Sequence, residues 1–93
     1  MRKDFKTYYE TDDEIKLIGI YRGINCHMML FKDLYNIETE KQTIDLHLKE
    51  SEICYKSELK FGEAYMIRGY VSKYTRRDGS VDYNVTEAII EEI

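Results

Sequence analysis

The chain contains no proline at all, so its β-prone runs are free of the residue that lacks a backbone donor and is confined to sheet edges and bulges. Cysteine is scarce. Cys26 and Cys54 are the whole supply, and a chain without an export signal meets a reducing compartment, where buried free thiols are the usual outcome and a structural disulfide is not expected. No apolar run approaches the roughly 18 residues needed to span a bilayer. Met1-Arg2-Lys3-Asp4 leads into polar residues instead of an apolar signal core, so the expected location is the cytoplasm, with no membrane contact. The 93 residues leave room for one domain but not for a second with a cleft between them. There is no nucleophile elbow, no phosphate-cradling glycine loop and no pair of carboxylates in an apolar setting. Asp45 and His47 lie two apart on one strand face, a spacing that is far more often a surface contact than a catalytic pair. An enzyme is not expected, and no cofactor is implied.

Net positive charge is absent too: the formal charge is -4, which weighs against nucleic acid, because affinity for phosphates comes from Lys and Arg displacing counterions. The distribution is uneven. From Lys60 to Gly79 there are five cations (Lys60, Arg68, Lys73, Arg76, Arg77) against Glu63 and Asp78, giving +3 there and -7 on the remainder. The acidity gathers in Glu10 to Glu14 and in Glu87, Glu91 and Glu92.

What the chain does have is alternation. Gly62 to Thr86 reads as two strands joined by a polar turn: Ala64 to Tyr74, then Arg76-Arg77-Asp78-Gly79-Ser80, then Val81 to Val85, with Asp-Gly the strongest local turn signal. Tyr65, Ile67, Gly69 and Val71 share the face expected to be buried, and Met66, Arg68, Tyr70 and Ser72 share the other. Upstream, Glu14 to Ile24 predicts a long strand with Ile15, Leu17, Gly19 and Tyr21 on one face; a glycine inside such a strand marks a sharp bend or a close approach. Cys26 to Lys32 predicts a second strand, and Asp33 to Gln42 an exposed loop. Thr43 to Lys49 predicts a third, with Ile44, Leu46 and Leu48 inward and Thr43, Asp45, His47 and Lys49 outward. Glu50 to Phe61 predicts one or two helical turns, with Ser51 as N-cap and Gly62 just past the end. Met1 to Asp13 has no period and reads as a mobile N-terminal segment ahead of one domain over 14–93. A short amphipathic turn built on Phe5, Tyr8 and Tyr9 is the alternative. Ala88, Ile89 and Ile90 extend the last strand or bend away from it.

Leu59-Lys60-Phe61-Gly62-Glu63 followed by Tyr65 to Val71 is similar to the fourth-strand entry of oligonucleotide-binding (OB) domains, where a Lys-Gly-acid turn leads into an apolar strand ending in Gly-x-Val. Thr43 to Leu48 and Val71 to Tyr74 also resemble small OB-type proteins of phages and mobile elements of Gram-positive bacteria. The resemblance implies an all-β chain with one short helix: a five-stranded Greek-key barrel whose ligand face uses strands two and three and the loops joining strands one to two and four to five.

Under that reading the turn Lys73, Tyr74, Arg76 and Arg77 is the foremost candidate site, because single strands bind by base stacking on aromatics beside a cationic track. The competing reading is a solvated turn. Tyr21, Arg22, Phe31 and Lys32, with His27 and His47, would extend the same face, although core packing is the ordinary role of each aromatic. Cys26, His27, His47 and Cys54 are residue types that suit zinc, but they lack any Cys-x2-Cys spacing and adjacent strand residues point to opposite faces, so no metal is expected. The resulting expectation is a module binding single-stranded DNA or RNA with little sequence preference. The alternative is a protein-interaction OB domain, an accessory or inhibitory protein of a phage or mobile element, whose acidic surface engages a basic protein partner.

Overall fold

The three longest strands, of 12 residues each, begin at Glu14, Ala64 and Val81, within the long runs of alternating apolar residues. The structure, a computed structural model, describes residues 8–43 and 45–93. The strands are β1 (Glu14–Asn25), β2 (Met28–Asn36), β3 (Lys41–Thr43), β4 (Leu46–Lys49), β5 (Ile53–Lys56), β6 (Ala64–Thr75) and β7 (Val81–Glu92). They form one sheet in the order β3-β2-β1-β6-β7-β5, with β4 also paired to β2. All ladders are antiparallel except β5 with β7, which is parallel.

The expected burial of β6 holds residue for residue: Tyr65, Ile67, Gly69 and Val71 are buried while Arg68 and Tyr70 are exposed. They meet Ile15 and Leu17 of β1, Phe31 and Leu34 of β2, Leu46 and Leu48 of β4, and Val85 and Ile90 of β7 in one apolar cluster. Each such aliphatic side chain contributes roughly 1.5–3 kcal/mol on leaving water. Tyr9 joins this cluster from the N-terminal side. Its hydroxyl accepts a 3.1 Å hydrogen bond from Asn36 Nδ2, and burial raises its pKa above the usual tyrosine value. The reading of Met1 to Thr7, Phe5 included, lies outside the described residues, as does the inward placement of Ile44.

Gly19 of β1 and Gly69 of β6 each face a bulge in the neighbouring strand. Between the pairs Ile18↔Tyr35 and Ile20↔Lys32, Gly19 alone opposes Asp33 and Leu34, and Asp33 has φ of 56°. Between Arg68↔Ile89 and Tyr70↔Thr86, Gly69 alone opposes Glu87 and Ala88, and Glu87 has φ of 53°. Leu34 and Ala88, the second residue of each bulge, are fully buried, and the space a Cβ would need is taken by Leu34 at Gly19 and by Val85 and the Thr86 carbonyl at Gly69. An added Cβ would sit 2.7 Å from Leu34 Cδ2 at Gly19, and 2.6 Å from Val85 Cγ1 and 2.8 Å from the Thr86 carbonyl at Gly69. Bulges bend and twist the strand that carries them, so the glycines mark where the sheet coils.

Several expectations are corrected. The sheet has seven strands and is not closed into a barrel. β4 approaches the first half of β7 without a ladder, Asn84 Nδ2 donating to the His47 carbonyl at 2.8 Å, and just past β4 the Glu52 carboxylate accepts from the Thr86 hydroxyl. The helical link is a single 3-10 turn at Glu50–Glu52 followed by β5, because pairing with β7 outweighs a helix propensity that lacks a helical apolar period. Asp33 to Gln42 is not a loop. β2 runs on to Asn36 through the bulge, burying Leu34 and Asn36, and the turn closes on the Asn36 carboxamide, whose Oδ1 accepts from the backbone N–H groups of Glu38 and Thr39. Thr43 is buried instead of facing out, since the third run breaks into β3 and β4 and its alternation shifts across the break. Both cysteines are free, and both are exposed where burial was expected.

Candidate nucleic-acid interface

β6 and β7 pair as far as Thr75↔Val81, whereas β1 accompanies β6 only as far as Glu14↔Tyr70. The hairpin end therefore projects past the body of the sheet. Its turn is built by the residues the sequence singled out. Arg76 N–H donates to the Ser80 carbonyl at 2.8 Å, Gly79 N–H donates to the Arg76 carbonyl at 2.9 Å, and Gly79 takes a φ of 88° that favours glycine. The Asp78 carboxylate accepts from the Ser80 hydroxyl and N–H, bonds that hold its pKa below the usual value.

Lys73, Tyr74, Arg76 and Arg77 are all exposed at this end, but they are not equivalent. Alternation puts Lys73 and Tyr74 on opposite faces of the hairpin. Tyr74 is 41% exposed, enough ring for a base to stack. The Arg76 guanidinium lies 5.9 Å from the Tyr74 ring centroid and is ion-paired with Asp82, which raises its pKa. Arg68, lower on β6, is likewise held by Glu91 through contacts of 2.9 and 2.5 Å. Of the five cations between Lys60 and Gly79, Lys60, Lys73 and Arg77 are left without a carboxylate partner among the described residues.

The second group of candidates sits elsewhere. Tyr21 N–H donates to the Glu63 carbonyl at 2.9 Å and Gly62 N–H to the Tyr21 carbonyl at 2.7 Å, so Tyr21 and Arg22 lie beside the start of β6 and the turn lies beyond its end. The structure does not gather the two groups into one cluster. Phe31 is 0% exposed and is corrected from candidate contact to core residue. Tyr21 is half-buried, packed on Phe31 and edge-on to Tyr65, with ring centroids 5.6 and 6.5 Å away. Lys32 is half-buried opposite Ile20. Arg22 is exposed and lies over the ring of Phe61, 4.8 Å from its centroid, a residue the sequence reading did not select.

His27 Nδ1 meets the Glu50 carboxylate at 3.2 Å, and the Cys26 thiol points at Asn25 Oδ1. Among the described residues no three His, Cys, Asp or Glu side chains converge as metal ligands. Asp45 and His47 share no hydrogen bond. Comparison of the chain with protein-family models, curated proteins and solved structures finds no match.

Proposed function

We propose that the chain is a small β-module binding single-stranded nucleic acid with little sequence preference, on an open sheet of the oligonucleotide-binding kind. The observation that carries this is the projecting β6–β7 end, where an exposed Tyr74 ring lies beside Arg76, and Lys73 and Arg77 at the same end have no carboxylate partner among the described residues. Stacking on such a ring is worth roughly 1–3 kcal/mol per base and is indifferent to base identity. The strand order supports the same reading: β2 joins β1 to the β3 and β4 run, β6 joins β1 to β7, and β5 runs parallel to β7. In an OB arrangement β3, β4 and β5 together take the place of the third strand. The test is a titration of labelled single-stranded oligonucleotides with the native protein and Tyr74→Ala. The variant is expected to bind more weakly with an unchanged salt dependence, and equal affinity would remove Tyr74 from the interface.

A protein-binding role is favoured by one observation. Glu91 and Asp82 neutralise two of the cations on this hairpin, so the surface as a whole remains acidic and suits a basic partner.

A further inference from the structure

Phe61 is the most exposed aromatic ring among the described residues, at 65%, yet its backbone is held firmly. It occupies the second position of a turn in which Glu63 N–H donates to the Lys60 carbonyl at 3.2 Å and Gly62 takes φ of 86°. The Tyr65 hydroxyl accepts the Lys60 N–H at 2.5 Å, and Gly62 and Glu63 are bonded to the backbone of Tyr21. Both glycines beside the ring matter. Gly62 supplies the turn, and a Cβ on Gly23 would lie 3.7 Å from Cδ2 and Cε2 of Phe61, so one edge of the ring rests against bare backbone. Arg22 covers it at 4.8 Å. A mobile exposed phenylalanine has no recognition value, but one fixed at its base and backed by a guanidinium presents a preset aromatic plane.

Resting on the nucleic-acid reading above, we propose that Phe61, with Arg22 behind it, is a second stacking platform for an unpaired nucleobase, at the opposite end of β6 from Tyr74. Two planes at the two ends of one strand give a bound single strand two fixed points, with the intervening backbone free to follow the surface. Stacking uses the π-face, so this platform adds affinity without sequence preference, and Arg22 supplies a cation beside the base for the adjoining phosphate.

The test is fluorescence anisotropy of a labelled oligothymidylate, long enough to span β6, with the full chain and the variants Phe61→Ala, Phe61→Tyr and Phe61→Leu. Phe61→Ala is expected to weaken binding roughly five- to a hundredfold with an unchanged salt slope and melting temperature. Phe61→Tyr restores the ring and the affinity; Phe61→Leu keeps an apolar group without a plane and stays weak. If Phe61→Ala binds within twofold of the native chain, the platform is overturned while the nucleic-acid reading stands. If Phe61→Leu binds as well as Phe61→Tyr, the site recognises apolar bulk, as a protein partner would require, and stacking is overturned. If the native chain binds no oligonucleotide, both inferences fall.

Discussion

Arg76 and Asp82 form an ion pair across the mouth of the β6–β7 hairpin, so a cation that the sequence offers to a ligand is already partly engaged within the fold. Arg77, next to it, has no such partner among the described residues. Arg77→Ala is therefore expected to lower affinity for single strands and flatten the plot of log affinity against log salt by approximately 0.7, the value for one lost phosphate contact. Arg76→Ala should do less. Asp82→Asn keeps an oxygen for the Tyr83 N–H that Asp82 now accepts while releasing Arg76, and should steepen the slope. Equal losses from both arginine variants would contradict the pairing.

Ile67 is fully buried between β1 and β7, opposite Leu17 and Ile90. Ile67→Ala should destabilise the fold by roughly 2–5 kcal/mol, as for deletion of a buried aliphatic side chain. Chemical denaturation measures it, and a loss under about half a kcal/mol would contradict the register of β6.

Gly19 and Gly69 should differ in their tolerance of a methyl group. At Gly19 the nearest atom is the end of the Leu34 side chain, which can rotate, whereas at Gly69 an added Cβ also meets the Thr86 carbonyl in the bulge. Gly69→Ala is expected to destabilise by about 1–3 kcal/mol, and Gly19→Ala by less. The reverse order in denaturation midpoints would contradict the bulge geometry.

How much of this was legible in the sequence depended on whether a residue's role was local. The inward face of β6, the Asp78-Gly79 turn and the bend at Gly19 follow from alternation and from glycine itself, whereas the bulge opposite Gly69 does not. The extension of β2 to Asn36 was not legible, because the bulge at Asp33 and Leu34 breaks the period at the point where a loop would begin. β5 was read as helix since its partner, Ala88 to Ile90, lies more than thirty residues away. At the site, Tyr74 and the cations could be selected by type. Their inequality could not, because Asp82 meets Arg76 only through the cross-strand register. Phe61 was passed over because it belongs to the turn motif that suggested the fold, and its exposure depends on how that turn seats against Tyr21 and Gly23.

Tyr9 gives a pH test of the N-terminal contact. Burial is the main cause of its raised pKa, opposed by the hydrogen bond from Asn36. The folded state thus keeps its proton to higher pH than the unfolded chain. The stability this supplies is complete below the ordinary tyrosine pKa of about 10 and is lost as pH rises from there through the folded-state value. Denaturation midpoints between pH 8 and 11 should fall more for the native chain than for Tyr9→Phe. Parallel curves would contradict the burial of Tyr9.

The central claim is tested most directly by titrating the native chain with a labelled single-stranded oligonucleotide at two salt concentrations, because the electrostatic contribution to binding is largest at low salt. Saturable binding at low salt is predicted, weakening at higher salt with a slope that corresponds to a few phosphate contacts. No binding to any oligonucleotide at low salt would contradict it, and would direct attention to a basic protein whose capture survives nuclease treatment.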